Sequence, residues 1–142
     1  MNSKSLIHQA GVMQSYFPGS EITRNGETEL TWVGWLQPTP LGGRYKVKVE
    51  YSRQQGISVY VLEPHLEIAR GCSRLPHVYD QKKQKLCLFY PKDREWYIGM
   101  WIAKTIITWA VEWLYFYELW LTTDGEWLGG GVVHDQTSPE ST

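Results

Sequence analysis

Thiols are the most reactive nucleophiles a side chain can offer near neutral pH, and this chain has two, Cys72 and Cys87. Two are too few to read as a disulfide framework, so free thiols are expected. An ordinary cysteine is only a few per cent ionised at pH 7, and carrying an acyl group as a thioester requires the thiolate. Access to solvent and nearby positive charge must therefore help. Lys82, Lys83 and Lys85 approach Cys87 from its N-terminal side and would favour the thiolate if the loop folds back. The rival reading is a buried core thiol, since Cys87 stands between Leu86 and Leu88. Cys72, in Arg70-Gly71-Cys72-Ser73, has no partner motif and reads as incidental. His134 could return to a thiol as a base or substrate contact, and a plain surface histidine is equally compatible with its position. Gly129-Gly130-Gly131 lacks the Lys-Ser/Thr of a phosphate loop and reads as backbone flexibility. No cysteine–histidine pair has zinc spacing, so no metal and no nucleotide cofactor is implied.

Several elements must position these groups. Ser3 to Tyr16 has Leu6, Ala10 and Met13 at helical spacing and stops at Phe17-Pro18-Gly19, which predicts a surface amphipathic helix. Glu29 to Gln37 alternates, with Leu30, Trp32 and Gly34 on one face, and ends at Pro38-Thr39-Pro40. Arg44 to Tyr51 alternates strictly: Tyr45, Val47, Val49 and Tyr51 against Lys46, Lys48 and Glu50. That is the pattern of a half-buried antiparallel strand. Ser58 to Leu62 supplies a third strand, stopped by Pro64. Glu63 to Glu95 is expected to be irregular apart from a short fourth strand near Leu86-Cys87-Leu88, and long ordered loops are usually functional. A core helix is expected from about Ile98 to Trp120, with Lys104, Thr108 and Glu112 on its wetter stripe.

A chain of 142 residues buries one sizeable core. One α+β domain is expected over residues 1–135, with a polar, disordered tail over 136–142. Net charge is -1 with both signs interspersed, which gives no ground for nucleic-acid binding. Eight Trp and nine Tyr, many of them between Trp96 and Trp127, call for one heavily packed element. Ile98 to Leu121 is apolar and long enough to suggest a membrane span. Lys104, Glu112 and Glu118 argue against it, because each central charge costs about 2.5–3.5 kcal/mol. With no apolar run of signal length near the start, a reducing cytoplasm is the simplest expected compartment.

The order of helix, strand meander, long irregular segment with a cysteine, then long helix resembles the ubiquitin-conjugating enzymes. Leu30-Thr31-Trp32-Val33, Pro40-Leu41-Gly42-Gly43 and Pro64 look like that family's landmarks. The most specific match is Leu75-Pro76-His77-Val78-Tyr79 followed by Leu86-Cys87-Leu88. The family has a His-Pro-Asn triplet ten positions before its catalytic cysteine, and His77 and Cys87 have that separation. Trp96 takes the place of the Trp that introduces the long helix. The resemblance implies that Cys87 is the acyl-carrying nucleophile and that His77 orders the loop presenting it. The family's Asn falls on Tyr79, whose hydroxyl would then be the donor to the tetrahedral oxyanion. The missing last helices, the Gly-rich segment, Trp109 to Leu114 and Tyr117 to Trp120 are similar to the stand-alone bacterial branch of type II (short) CBASS antiphage systems. In that branch the implied acyl donor is the C-terminal tail of a cGAS-like nucleotidyltransferase, and the acceptor is an unidentified amine.

Two alternatives follow from the same residues. Replacement of the Asn by Tyr79 suits an inactive docking module of the same fold. A Cys87–His134 pair would suit a hydrolase, but no residue to orient that histidine is evident. All three readings ask where the Cys87 sulfur lies. The thioester reading expects it to be reachable at the rim of a groove, near the Tyr79 hydroxyl and an ordered His77.

Overall fold

The computed structural model describes residues 4–90 and 93–130. Helix α1 (Leu6–Tyr16) starts at Ser5, whose hydroxyl accepts from His8 N–H at 3.3 Å. Its first two amides are taken by the Glu27 carboxylate, Leu6 N–H at 2.6 Å and Ile7 N–H at 3.3 Å. These bonds satisfy orphan donors of the first turn, and the Leu6 bond holds the Glu27 carboxyl below its ordinary range. The buried face of α1 is Leu6, Gln9 and Met13, and Ala10 is only half-buried.

Six strands follow or flank the site: β1 (Glu21–Asn25), β2 (Glu29–Leu36), β3 (Tyr45–Ser52), β4 (Gly56–Glu63), β5 (Val78–Asp80) and β6 (Lys85–Leu86). They form one antiparallel sheet in the order β1-β2-β3-β4-β6-β5. The expected meander of β2, β3 and β4 is its centre. The expected count of four strands is corrected to six. Strand β1 carries no alternation, because four of its five residues are exposed at the sheet edge. Strands β5 and β6 are a short hairpin within the segment expected to be mostly irregular. One sheet face presents Leu30, Trp32 and Leu36, Tyr45, Val47 and Val49, and Val59 and Val61, all buried. Gly34 sits under the Trp32 ring, where an added Cβ would fall 2.5 Å from a ring carbon.

Helix α2 (Ile106–Thr122) buries Ile106, Ile107, Ala110, Trp113, Leu114, Tyr117 and Trp120 in the same apolar cluster. This stripe at three- and four-residue spacing is the burial pattern of a core helix. Glu118 ties the helix to the sheet by accepting from Tyr45 O–H at 2.6 Å and Gly43 N–H at 2.8 Å. Helix α2 begins eight residues later than the sequence suggested. The cause is Gln9, fully buried, whose amide nitrogen donates to Met100 O at 2.8 Å and whose oxygen accepts from Ile102 N–H at 2.9 Å. Backbone groups committed to a side chain are lost to the helical ladder. No helix of the described residues is long and apolar enough to cross a membrane. The tail expected over residues 136–142 lies outside the described residues.

Candidate active site

The hairpin of β5 and β6 places the chemistry. Asp80 closes its turn by accepting from Lys83 N–H at 2.9 Å. Gln84, at φ +53 and buried, turns inward rather than joining the solvated lysines around it. Its side chain accepts from Leu66 N–H at 2.7 Å and donates to Val61 O at 2.9 Å and Pro64 O at 3.2 Å, and Val61 N–H bonds its carbonyl at 3.1 Å. The strand that leads to Cys87 is therefore stapled to the end of β4. Lys82 and Lys83 stand exposed at the hairpin tip, whereas Lys85 lies 5.6 Å from the Tyr79 ring centre.

On the other side, the loop before β5 is held at both ends. Gln81 clips Leu75 through paired bonds of 2.8 Å to its N–H and its carbonyl. His77 follows in the left-handed region at φ +49, a conformation that costs a non-glycine residue about 1–3 kcal/mol and persists only where its surroundings enforce it. Here they do. The His77 carbonyl accepts from Cys87 N–H and from the Trp113 indole N–H, each at 3.0 Å. The imidazole, 4 % exposed, stacks on Tyr90 at 4.3 Å and meets Trp127 at 5.1 Å. Burial pushes the Tyr90 phenol up, with Arg94 opposing the shift.

Cys87 is the first residue beyond β6, and its side chain is 1 % exposed. The sulfur is thus not open to solvent at a groove rim, contrary to the expectation from sequence. The apolar neighbours Leu86 and Leu88 are buried with it. Its polar neighbour is Tyr79. The Tyr79 phenol is pushed well above its ordinary range, first by burial and then by its interaction with Cys87. Tyr79 therefore stays protonated and can act as a donor throughout the pH range in which a thiol titrates. The residue as a whole is 56 % exposed, so the buried Cys87 has a partly solvated neighbour. A narrow apolar crevice of about 10 Å³, room for a single water or methyl group, lies beside it between Ile57, Val59, Leu88 and Ile106.

The structure thus brings Cys87, Tyr79 and the His77 backbone together. His134 lies outside the described residues. Cys72 is half-buried against the chain after α2, where an added Cβ on Gly125 would fall 2.5 Å from its sulfur. Two residues of the site escaped the sequence reading. Trp113 had been grouped with the core stripe, and its donor is visible only once the loop is folded against it. Trp127 lies between the breaker Gly125 and the Gly129-Gly130-Gly131 run that reads as flexible, beyond the helix that the sequence predicts. A lone tryptophan among glycines was the available signal that this segment packs back.

A family model described as "Type II CBASS E2 protein" matches residues 9–135, most of the chain and both cysteines. The chain belongs to that family. Its members are named as E2 proteins of CBASS, and the buried thiol hairpin described above falls wholly within the matched residues. No curated protein matches this chain. Among the described residues, no group of three or more His, Cys, Asp or Glu side chains could hold a metal ion.

Proposed function

We propose that this CBASS E2 is an acyltransferase of the ubiquitin-conjugating type, with Cys87 as its carrier. The thiolate attacks the carbonyl carbon of a donor thioester, the C–S bond to the donor's thiol breaks, and that thiol leaves as thiolate. The acyl group on Cys87 is the C-terminus of a protein, for which a cGAS-like nucleotidyltransferase of the same defence system is the candidate. An acceptor amine then attacks, Cys87 leaves as thiolate, and the amine's proton passes to water or buffer. In both steps Tyr79 donates to the oxyanion of the tetrahedral intermediate, the kind of interaction whose loss costs about 10²–10³ in rate. His77 positions the loop through its carbonyl bond to Cys87 N–H and does not itself exchange protons with substrate.

The observation that carries this reading is the placing of the partly exposed Tyr79 phenol beside the buried Cys87, in a chain of the CBASS E2 family. A core thiol needs no phenol donor at its surface side. Because the sulfur is covered, acyl transfer requires Tyr79 to turn aside. The test is trapping. Incubation with the candidate donor under non-reducing conditions is expected to give a dithiothreitol-sensitive adduct on Cys87, absent in Cys87→Ala.

The burial of Cys87 favours a second reading, a docking module without chemistry. No adduct with a donor known to be active would select it. A hydrolase would require His134 to reach the sulfur and turnover of an ester that depends on both residues.

A further inference from the structure

Lys85 stands apart from the other lysines of the sheet and its hairpin. Lys46 and Lys48 are engaged by carboxylates, Glu63 at 3.9 Å and Glu50 at 3.1 Å, and Lys82 and Lys83 are exposed at the hairpin tip. Lys85 is half-buried and forms no ion pair among the described residues; its ammonium lies 5.6 Å from the centre of the Tyr79 ring. The same Tyr79 side chain interacts with Cys87. Lys85 and Cys87 are two positions apart across the end of β6, and the buried Leu86 stands between them. A period of two sends the neighbours of Leu86 to the side opposite its own, in agreement with their shared contact at Tyr79. Two such positions are about 7 Å apart along a strand, and a lysine carries its amine on a flexible four-carbon stem. An acyl group on the Cys87 sulfur is therefore within the sweep of the Lys85 amine once the Tyr79 ring turns aside.

We propose that Lys85 is an acyl acceptor within its own chain, receiving by a shift from sulfur to nitrogen the group that Cys87 carries. The assignment rests on the carrier role of Cys87 and adds a second covalent site to it. The neutral Lys85 amine attacks the thioester carbonyl, the C–N bond forms, and the C–S bond breaks. Cys87 leaves as thiolate, and the amine's proton passes to water or buffer. Nothing is oxidised or reduced, and no co-reactant is needed. The exchange runs from a thioester to an amide, which thiols do not reverse, so the product is a chain locked to its donor rather than a carrier awaiting discharge. Selectivity follows from position. Lys82 and Lys83 lie beyond the inward-turned Gln84, and Lys48 is held by Glu50 and by the Tyr60 ring at 4.9 Å. Amines in solution compete with Lys85 for the same carbonyl, so self-modification falls as a good acceptor is added.

The test gives the full chain a small neutral donor, the N-acetylglycyl thioester of N-acetylcysteamine, so that no docking surface is required. After incubation, dithiothreitol strips thioesters and leaves amides, and peptide mapping by mass spectrometry locates each amide. Lys85 is expected to carry about tenfold more amide than Lys82 or Lys83, because a thioester held on Cys87 has a far higher effective concentration than the free donor. Cys87→Ala should bring Lys85 down to the level of those two lysines. Lys85→Arg, which keeps the cation, should leave the acyl group on Cys87 as a dithiothreitol-sensitive adduct. Circular dichroism confirms that both variants are folded. The rate of amide formation from loaded chain should be unchanged on dilution, and a rate that scales with protein concentration overturns the proposal. Equal amide at Lys85 in the parent and in Cys87→Ala also overturns it. A Cys87 thioester that persists while Lys85 stays unmodified overturns it too, but leaves the carrier role standing. An acyl group on neither residue overturns both.

Discussion

Substituting Tyr79 separates two jobs assigned to one side chain, because its hydroxyl and its ring act on the Cys87 sulfur in different ways. The hydroxyl–sulfur bond is worth about 1 kcal/mol, which protects the thiol about fivefold. Tyr79 is 56 % exposed, so roughly 90 Å² of it is buried against all of its neighbours, which is an upper bound on what covers the site. At about 25 cal/mol per Å², moving that surface into water costs about 2 kcal/mol more. Opening the site therefore costs about 3 kcal/mol, or about a hundredfold in rate. Alkylation by iodoacetamide at pH 8, followed residue by residue with mass spectrometry, measures this directly. The half-buried Cys72 serves as the internal reference. Tyr79→Phe should react at Cys87 about fivefold faster than the parent, and Tyr79→Ala about a hundredfold faster. Discharge of the thioester to an amine should move the other way, falling about 10²–10³ in Tyr79→Phe through loss of the oxyanion donor. Parent Cys87 that alkylates as fast as a cysteine in an unfolded chain would refute the covered-sulfur argument. Unchanged discharge in Tyr79→Phe would refute the oxyanion role while leaving the cover intact.

Other outcomes follow from single contacts. Trp113→Phe keeps most of the buried ring but removes the indole donor to His77 O. It should cost about 1–2 kcal/mol in urea unfolding and raise Cys87 alkylation as the loop loosens. Glu118→Gln weakens the bonds to Tyr45 and Gly43, so midpoints should fall by about 1–3 kcal/mol of stability with Cys87 alkylation unchanged. Glu27 has its folded pKa depressed by the Leu6 amide, so its contribution is complete above the ordinary glutamate value of about 4.3 and is lost as pH falls through the lower folded value. The parent's melting temperature should drop across that interval, and Glu27→Gln should flatten the drop; equal slopes would sink the capping argument.

Legibility in the sequence tracked how local each determinant is. The alternation of Tyr45 to Tyr51 is enough to define β3, since one buried face dictates a period of two. The helical stripe from Ile106 to Trp120 was equally plain, but its start was not, because a glutamine in α1 claims the backbone near Met100 across the core. Strand β1 has no buried face to impose a pattern. Cys87, Tyr79 and His77 were picked out through family spacing, which says which residues meet and nothing about exposure. The cover over the sulfur and the packing of Trp127 depend on contacts between distant segments, and no window of sequence contains them.

Those distant contacts also determine the side from which chemistry can come. Behind the thiol loop, the His77 carbonyl is bonded to Trp113 of the core helix, and the imidazole is packed between Tyr90 and Trp127. Tyr90 and Trp113 are buried, and Trp113 and Phe116 in turn back Trp127 at ring distances of 5.6 and 6.1 Å. Opening that side would break an aromatic cluster and the two hydrogen bonds to the His77 carbonyl, each of those bonds worth about 1 kcal/mol. Toward Tyr79 the barrier is one hydrogen bond and part of one ring. A small electrophile such as iodoacetamide that takes the cheaper route passes the Tyr79 ring, with Lys85 beside it, so the asymmetry of packing sets the side from which Cys87 is attacked.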